Sequence, residues 1–148
     1  MRIAREVPAV KAVKEASGSI NQMMEIINEI SKNGPKDFTI LSGDDALALP
    51  LIALGGHGCI SVVCNEIPKL FSNMIHFALQ GKLKEARKLH YQMLELMNVN
   101  FIESNPIPVK TAMARLGFIE ESFRLPLTMI EEKNRPLVEK ALKGLKLI

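Results

Sequence analysis

One lysine in the sequence stands where it could attack a carbonyl group. Lys14 ends an apolar run, Ala9 to Lys14, that is predicted to form a β-strand, and it shares one face with Val10 and Ala12. In a βα barrel, such a strand end opens onto the active-site face. A lysine amine held against apolar walls loses some stability of its charged form, so its pKa falls and it becomes nucleophilic. Schiff-base chemistry is one prediction for Lys14; the alternative is a side chain that simply extends into water.

A polar segment, Ser42-Gly43-Asp44-Asp45, follows the second predicted strand. Its two carboxylates could hold a metal ion or act as general acid and base, but Ser42 and Asp45 also have the spacing of a helix capping box. We take capping as the better interpretation. Gly43 is more informative, since a glycine at a strand end lets backbone amides approach a ligand carboxylate.

The histidines do not predict a metal site. His57 lies in a glycine-rich turn, while His76 and His90 fall on separate predicted helices with no carboxylate or cysteine at ligand spacing. Cys59 and Cys64 are five positions apart in one predicted strand, on opposite faces, and therefore cannot form a disulfide with each other. Free thiols indicate a reducing compartment.

Composition indicates one ordinary folded protein. The chain has 148 residues, of which 47% are hydrophobic and 24% charged. The 19 Lys and Arg exceed the 16 Asp and Glu by three and are scattered, so we expect no nucleic-acid and no membrane partner. The longest apolar stretch, Ala46 to Gly56, is far shorter than the roughly 20 residues of a membrane span. Without a signal-peptide core, the chain is expected to be cytoplasmic.

The predicted elements alternate between strands and helices and then become helical throughout. Three β-type runs are too far apart for hairpins, and each is followed by a helical pattern, which is typical of parallel βα units. The predicted strands are Ala9 to Lys14, Phe38 to Leu41 and Cys59 to Val63. The predicted helices span about 19–32, 45–54, 66–80, 82–103 and 134–145, with a further one that starts in 105–108 and ends at Gly117.

Five segments in order resemble the dihydrodipicolinate synthase family of pyruvate-dependent class I aldolases, which act in lysine biosynthesis. The first carries the lysine, and the resemblance covers essentially the whole chain. The segments are Val13 to Gly18, Leu41 to Asp45, Gly55 to Val62, Asn105 to Lys110, and Arg124 to Leu127.

The resemblance implies an α/β fold, the C-terminal portion of a (β/α)8 TIM barrel. Residues 1–80 would supply three parallel βα units, strands six to eight, and residues 81–148 a C-terminal helical region packed on them. The chain would begin within the helix before strand six. Alone, such a sheet exposes two unpaired edges and the apolar face that normally fills the barrel. We therefore expect a homo-oligomer or a complementing barrel half as partner.

The resemblance also implies a lyase reaction. Lys14 would form an imine with pyruvate, and the derived enamine would add to the aldehyde of aspartate 4-semialdehyde. Gly43 and Ile60 match positions that line the pyruvate pocket, and Asn105 matches one near the active-site face. No cofactor and no metal are expected. The family's threonine pair, proton-relaying tyrosines and substrate-binding arginine belong to the part of the barrel that is absent here.

Two other functions stay open from the sequence. One is another aldolase of the same superfamily, a sialic acid lyase or a keto-deoxy-sugar aldolase, which also uses a strand-six lysine. The segments around Gly43 and Asn105 favour the synthase over these enzymes. The other is a non-catalytic fragment that only forms oligomers.

Overall fold

A parallel three-stranded sheet organises the first part of the chain. In the computed structural model, which describes residues 2–148, β1 (Ala12–Glu15), β2 (Thr39–Ser42) and β3 (Gly58–Cys59) lie side by side in chain order. Lys14 pairs with Leu41 across the first two strands, and Leu41 pairs with Gly58 across the next two. The predicted parallel arrangement of three strands, separated by helices, is confirmed.

Seven helices surround or follow these strands. They are α1 (Arg2–Glu6), α2 (Ile20–Asn33), α3 (Ala48–Ala53), α4 (Pro68–Leu79), α5 (Leu83–Val99), α6 (Ile107–Arg115) and α7 (Arg135–Gly144), with a 3-10 turn at Val63–Asn65. None of the helices within residues 2–148 is both long and apolar enough to cross a membrane.

The third strand is shorter than predicted. It ends at Cys59, and Cys64 lies in the 3-10 turn that follows. The prediction of a strand from Cys59 to Val63 was therefore wrong, as was the placement of both cysteines in it, because an apolar run extends as a strand only where a neighbouring strand offers hydrogen bonds. Neither cysteine forms a disulfide.

By spatial contact the chain forms two compact units. The first combines Met1–Ser61 with Asn73–Arg87, and the second combines Val62–Ser72 with Lys88–Ile148. The predicted division into residues 1–80 and 81–148 stays a prediction, because this grouping follows contact in space and not the order of elements.

The helix α2 shows how local sequence positions the first unit. Ser19 begins it, and its side-chain oxygen accepts the amide of Gln22 at 3.3 Å. Gly34 ends it, and its backbone amide donates a hydrogen bond to the carbonyl of Ile30 at 2.9 Å. A Cβ on Gly34 would lie 2.8 Å from that same oxygen, so a larger residue does not fit there. These local signals fix the length of α2 within one residue of the prediction.

One side of the sheet is covered by this helix. The core of the first unit is formed by one residue each from α1, α2, the segment just before β2, β2 itself and α3. In that order they are Ala4, Met23, Phe38, Ile40 and Leu51. Met23 is fully buried, whereas the adjacent Met24 is 41% exposed, because consecutive residues of a helix point about 100° apart.

The second unit contains a partly buried polar network beside its apolar core. The Glu121 carboxylate accepts hydrogen bonds from Thr111 Oγ1 at 2.8 Å and from Arg135 Nη1 at 2.9 Å. Burial raises the pKa of Glu121, but the hydrogen bonds from Arg135 and Thr111 and the charge of Arg135 outweigh it, so the pKa lies below its ordinary value. The network joins α6, α7 and the segment between them.

Replacing Met23 by Ala is expected to destabilise the first unit strongly. Loss of a fully buried methionine side chain leaves a cavity and typically costs about 2–5 kcal/mol. Met24→Ala is the matched control, since it removes the same atoms from an exposed position on the same helix. Urea unfolding followed by circular dichroism measures both free energies; equal losses in the two variants would contradict the assigned core.

Acid is expected to weaken the network around Glu121. Because its pKa is lower in the fold than in the unfolded chain, its contribution is fully present above the ordinary glutamate pKa of about 4.3 and is lost as the pH falls through the lowered value. Glu121→Gln should flatten the stability profile between about pH 5 and pH 3. Glu120→Gln, one residue earlier and exposed, should leave the profile unchanged. Urea unfolding at a series of pH values makes the comparison.

Candidate functional site

Lys14 lies on the uncovered face of the sheet. Along β1, Ala12 and Lys14 are exposed, Val13 is half-buried and Glu15 is buried, as expected when successive side chains alternate between faces. The Lys14 side chain forms no hydrogen bond or ion pair with any other residue of 2–148. Its cross-strand neighbour Leu41 is half-buried. The apolar walls expected around the amine are therefore only partly provided by the described chain.

Glu15 anchors the loop that follows the lysine. Its carboxylate is buried on the opposite face, and Oε1 accepts the backbone amide of Ser17 at 3.1 Å and the side-chain amide of Gln22 at 2.8 Å. The loop is thereby held against the first turn of α2. Sequence reasoning missed this role, since Gln22 lies seven positions away and no pattern connects the two side chains.

Gly43 brings the ends of β1 and β2 together. Its amide donates to the carbonyl of Glu15 at 2.6 Å, and a Cβ at this position would lie only 2.4 Å from the Cβ of Ala16. A glycine is therefore required by close packing of two loops. Contact between Gly43 and a ligand carboxylate stays a prediction, and it cannot use this amide without breaking the bond to Glu15.

The acidic residues after β2 stabilise their own turn. Asp44 accepts the amides of Ala46 and Leu47, at 2.8 and 3.4 Å, while Ser42 Oγ donates to the carbonyl of Asp44 at 2.6 Å. Asp44 thus closes the turn that leads into α3, whose N-cap residue, Leu47, makes no side-chain capping bond. The predicted capping box between Ser42 and Asp45 was wrong, because α3 begins three residues beyond Asp45.

The three predicted site residues share one edge of the sheet. Lys14 is the next-to-last residue of β1, Gly43 directly follows β2, and Ile60 directly follows β3. Ile60 is 48% exposed, and its amide donates to the carbonyl of Ser42 at 2.8 Å. In a parallel sheet the carboxyl ends of all strands meet at the same edge, so this juxtaposition follows from the topology. Asn105 lies in the second unit, exposed in the turn before α6.

His57 lies at the other edge of the same sheet and has a structural role. Its Nδ1 accepts the amide of Ile40 at 3.1 Å, and its own amide donates to the carbonyl of Ile40 at 2.8 Å. The His57 side chain thus satisfies the backbone amide of Ile40 in β2, at a point before β3 begins. Within residues 2–148, no group of three or more His, Cys, Asp or Glu side chains is arranged to hold a metal ion.

The arrangement supplies a nucleophile at an accessible edge. An exposed primary amine can add to a ketone and lose water to form an imine, which requires groups that move protons. Tyr91 is exposed on α5 in the second unit, and the sequence contains no other tyrosine. Among the residues at the carboxyl edge of the sheet, Lys14 is therefore the one that can form an imine.

Sequence comparison relates the chain to known enzymes. The model of the dihydrodipicolinate synthetase family matches residues 1–145. The chain is 50% identical over 140 residues to 4-hydroxy-tetrahydrodipicolinate synthase of Koribacter versatilis, covering 95% of this chain and 45% of that relative. It is 48% identical over 146 residues to the enzyme of the same name from Maridesulfovibrio salexigens, covering 99% and 49% respectively.

Solved structures agree with this relationship. Dihydrodipicolinate synthase from Thermotoga maritima superposes with a TM-score of 0.94 at 37% identity, covering 99% of this chain and 50% of that one. The enzyme from Acinetobacter baumannii, solved in complex with pyruvate, gives a TM-score of 0.91 at 35% identity, covering 99% and 49%.

The extent of the match is as informative as its strength. The chain spans about half the length of the curated relatives it matches, and nearly all of its own residues take part. The described α/β fold with its three-stranded parallel sheet agrees with that of the dihydrodipicolinate synthase structures. The chain belongs to the dihydrodipicolinate synthetase family.

Proposed function

We propose that this chain provides the imine-forming part of a dihydrodipicolinate synthase. Lys14 attacks the ketone carbon of pyruvate and water is lost; removal of a methyl proton gives an enamine, whose carbon attacks the aldehyde of aspartate 4-semialdehyde. The single observation that carries this proposal is the place of Lys14: an amine without an ion partner among residues 2–148, at the carboxyl edge of a parallel sheet in a chain of this family. Gly43 and Ile60 are proposed to line the pyruvate pocket.

We infer further that the three strands correspond to strands six to eight of the barrel. Two features of the described sheet support this: β1 and β3 each leave one edge without a strand partner, and the face that carries Lys14 is not covered. A closed barrel has no free edges, and its interior is filled by side chains from all strands. The matched relatives are about twice as long, which is enough chain for the remaining strands.

The proposed reaction also requires the rest of the barrel, because the Lys14 amine is exposed in this chain. Exposure of the amine follows from the uncovered face, since walls contributed by other strands are needed to exclude water from it. The active species is accordingly a homo-oligomer or a complex with a complementing barrel half, acting in a reducing cytoplasm, where cysteines such as Cys59 and Cys64 stay without a disulfide. Pyruvate and the aldehyde are the proposed partners, with no cofactor.

Borohydride trapping tests the lysine. The chain is mixed with the amino-terminal half of the Maridesulfovibrio salexigens relative, incubated with pyruvate, reduced with borohydride and mapped by mass spectrometry. We expect the adduct on the peptide that contains Lys14, and its loss in Lys14→Ala. Lys11→Ala is the matched control, because Lys11 is three residues earlier and is paired with Asp37 at 2.9 Å.

Two results would reject the lysine assignment. One is an absence of any adduct although the two halves associate on size-exclusion chromatography, which supports a non-catalytic oligomerising fragment instead. The other is an adduct spread over several surface lysines and unchanged in Lys14→Ala.

Gly43→Ala is expected to disturb the same site from the adjacent strand. The new Cβ would meet Ala16, so the loop after Lys14 has to move; such overpacking costs about 1–3 kcal/mol. Both the free energy of unfolding and the rate of trapping should fall. Adding Ala16→Gly removes the nearest clash and should restore part of both, since tight contacts to the Glu15 carbonyl remain. No loss in the single variant would show that the loops do not pack as described.

A further inference from the structure

A cavity lies at the amino edge of the three-stranded sheet, away from Lys14. Its volume is about 340 Å³, and it is a cleft, open to solvent, between the end of α2, the residues that lead into β2 and the turn before β3. The apolar part of its wall is formed by Ile27, Ile30 and Phe38, and the polar part includes Lys36 and His57. All of these residues belong to the first unit. The cavity therefore combines an apolar surface with two nitrogen-bearing side chains.

His57 presents a fixed hydrogen-bond donor at this cavity. Its Nδ1 accepts the amide of Ile40 at 3.1 Å, and Ile40 is almost fully buried, so that bond holds the ring in place. A neutral imidazole carries its proton on one nitrogen only. Because Nδ1 acts as the acceptor, the proton resides on Nε2, which becomes a donor with no protein partner among the residues described.

Lys36 adds a positive charge that the protein does not neutralise. It forms no ion pair or hydrogen bond with another residue of 2–148, and no aspartate or glutamate lines the cavity. The neighbouring carboxylate, Asp37, is held by Lys11 at 2.9 Å. The hydrogen bond and charge of Lys11 also lower the pKa of Asp37. Lys11 and Asp37 thus pair with each other, and Lys36 is the lysine of the cavity wall that has no ion partner among residues 2–148.

We propose that the cavity binds a small carboxylate with a short apolar body. The ammonium of Lys36 and the Nε2–H of His57 hold the carboxylate, while Ile27, Ile30 and Phe38 contact the apolar body. A neutral or cationic ligand of the same shape lacks the interaction with Lys36. The site is at the opposite edge from Lys14 and does not depend on imine chemistry, so it can be occupied whether or not the barrel is complete.

Titration with hexanoate tests the site. Hexanoate, hexanol and hexylamine are added separately to the full 148-residue chain, and binding is followed by isothermal titration calorimetry and by amide shifts in nitrogen-15 NMR spectra. Hexanoate is expected to bind saturably with shifts at Gly34 and Gly55, to bind at least about tenfold more tightly than hexanol, and to weaken as salt is added.

Variants separate a specific site from general attraction. Lys36→Ala should weaken hexanoate binding about tenfold and leave hexanol unchanged, since only the charged contact is lost. Lys32→Ala is the matched control, because Lys32 is an exposed lysine of the last turn of α2 that does not line the cavity. His57→Gln should weaken hexanoate binding. The dependence of binding on salt should stay the same in this variant, since it comes from the charge of Lys36. Equal affinity for hexanoate and hexanol, equal effects of the two lysine variants, or no saturation would overturn the proposal.

Discussion

The first unit depends on a parallel sheet that is covered on one face only. Alternation along each strand sends Glu15 and Ile40 to the helix-covered side and Lys14 to the other. The register then fixes Leu41 beside Lys14 and Gly58 beside Leu41. A slip of one residue would bury the amine under α2 and expose the core. The accessibility of the proposed nucleophile is thus a direct consequence of strand pairing.

Close contact between the loops at the carboxyl edge is the second constraint. The hydrogen bond from Gly43 to Glu15 and the absence of a Cβ at Gly43 allow the chain after β2 to lie against Ala16. Glu15 in turn holds the loop after Lys14 through Ser17 and Gln22. The lysine therefore extends from a segment whose backbone is fixed on both sides. Residues with no direct chemistry define where the amine can be.

The two edges of one sheet have different polar character. At the carboxyl edge, acidic side chains such as Asp44 are used by backbone amides, and the free amine belongs to Lys14. At the amino edge, His57 replaces a missing strand partner for Ile40, and Lys36 lies beside it without a counter-ion among the described residues. Parallel strands create this asymmetry, because all amino ends lie together and all carboxyl ends lie together.

Signals in the sequence determined the helix α2, from its cap at Ser19 to its end at Gly34. They also determined the parallel order of the three strands, the position of Lys14 near the end of a strand, and the family. The early end of β3 and the pairing of His57 with Ile40 were decided by tertiary structure alone. The physical reason is range: caps and periodic patterns act within one turn, whereas strand length, buried carboxylates and cavities depend on partners far away in the chain.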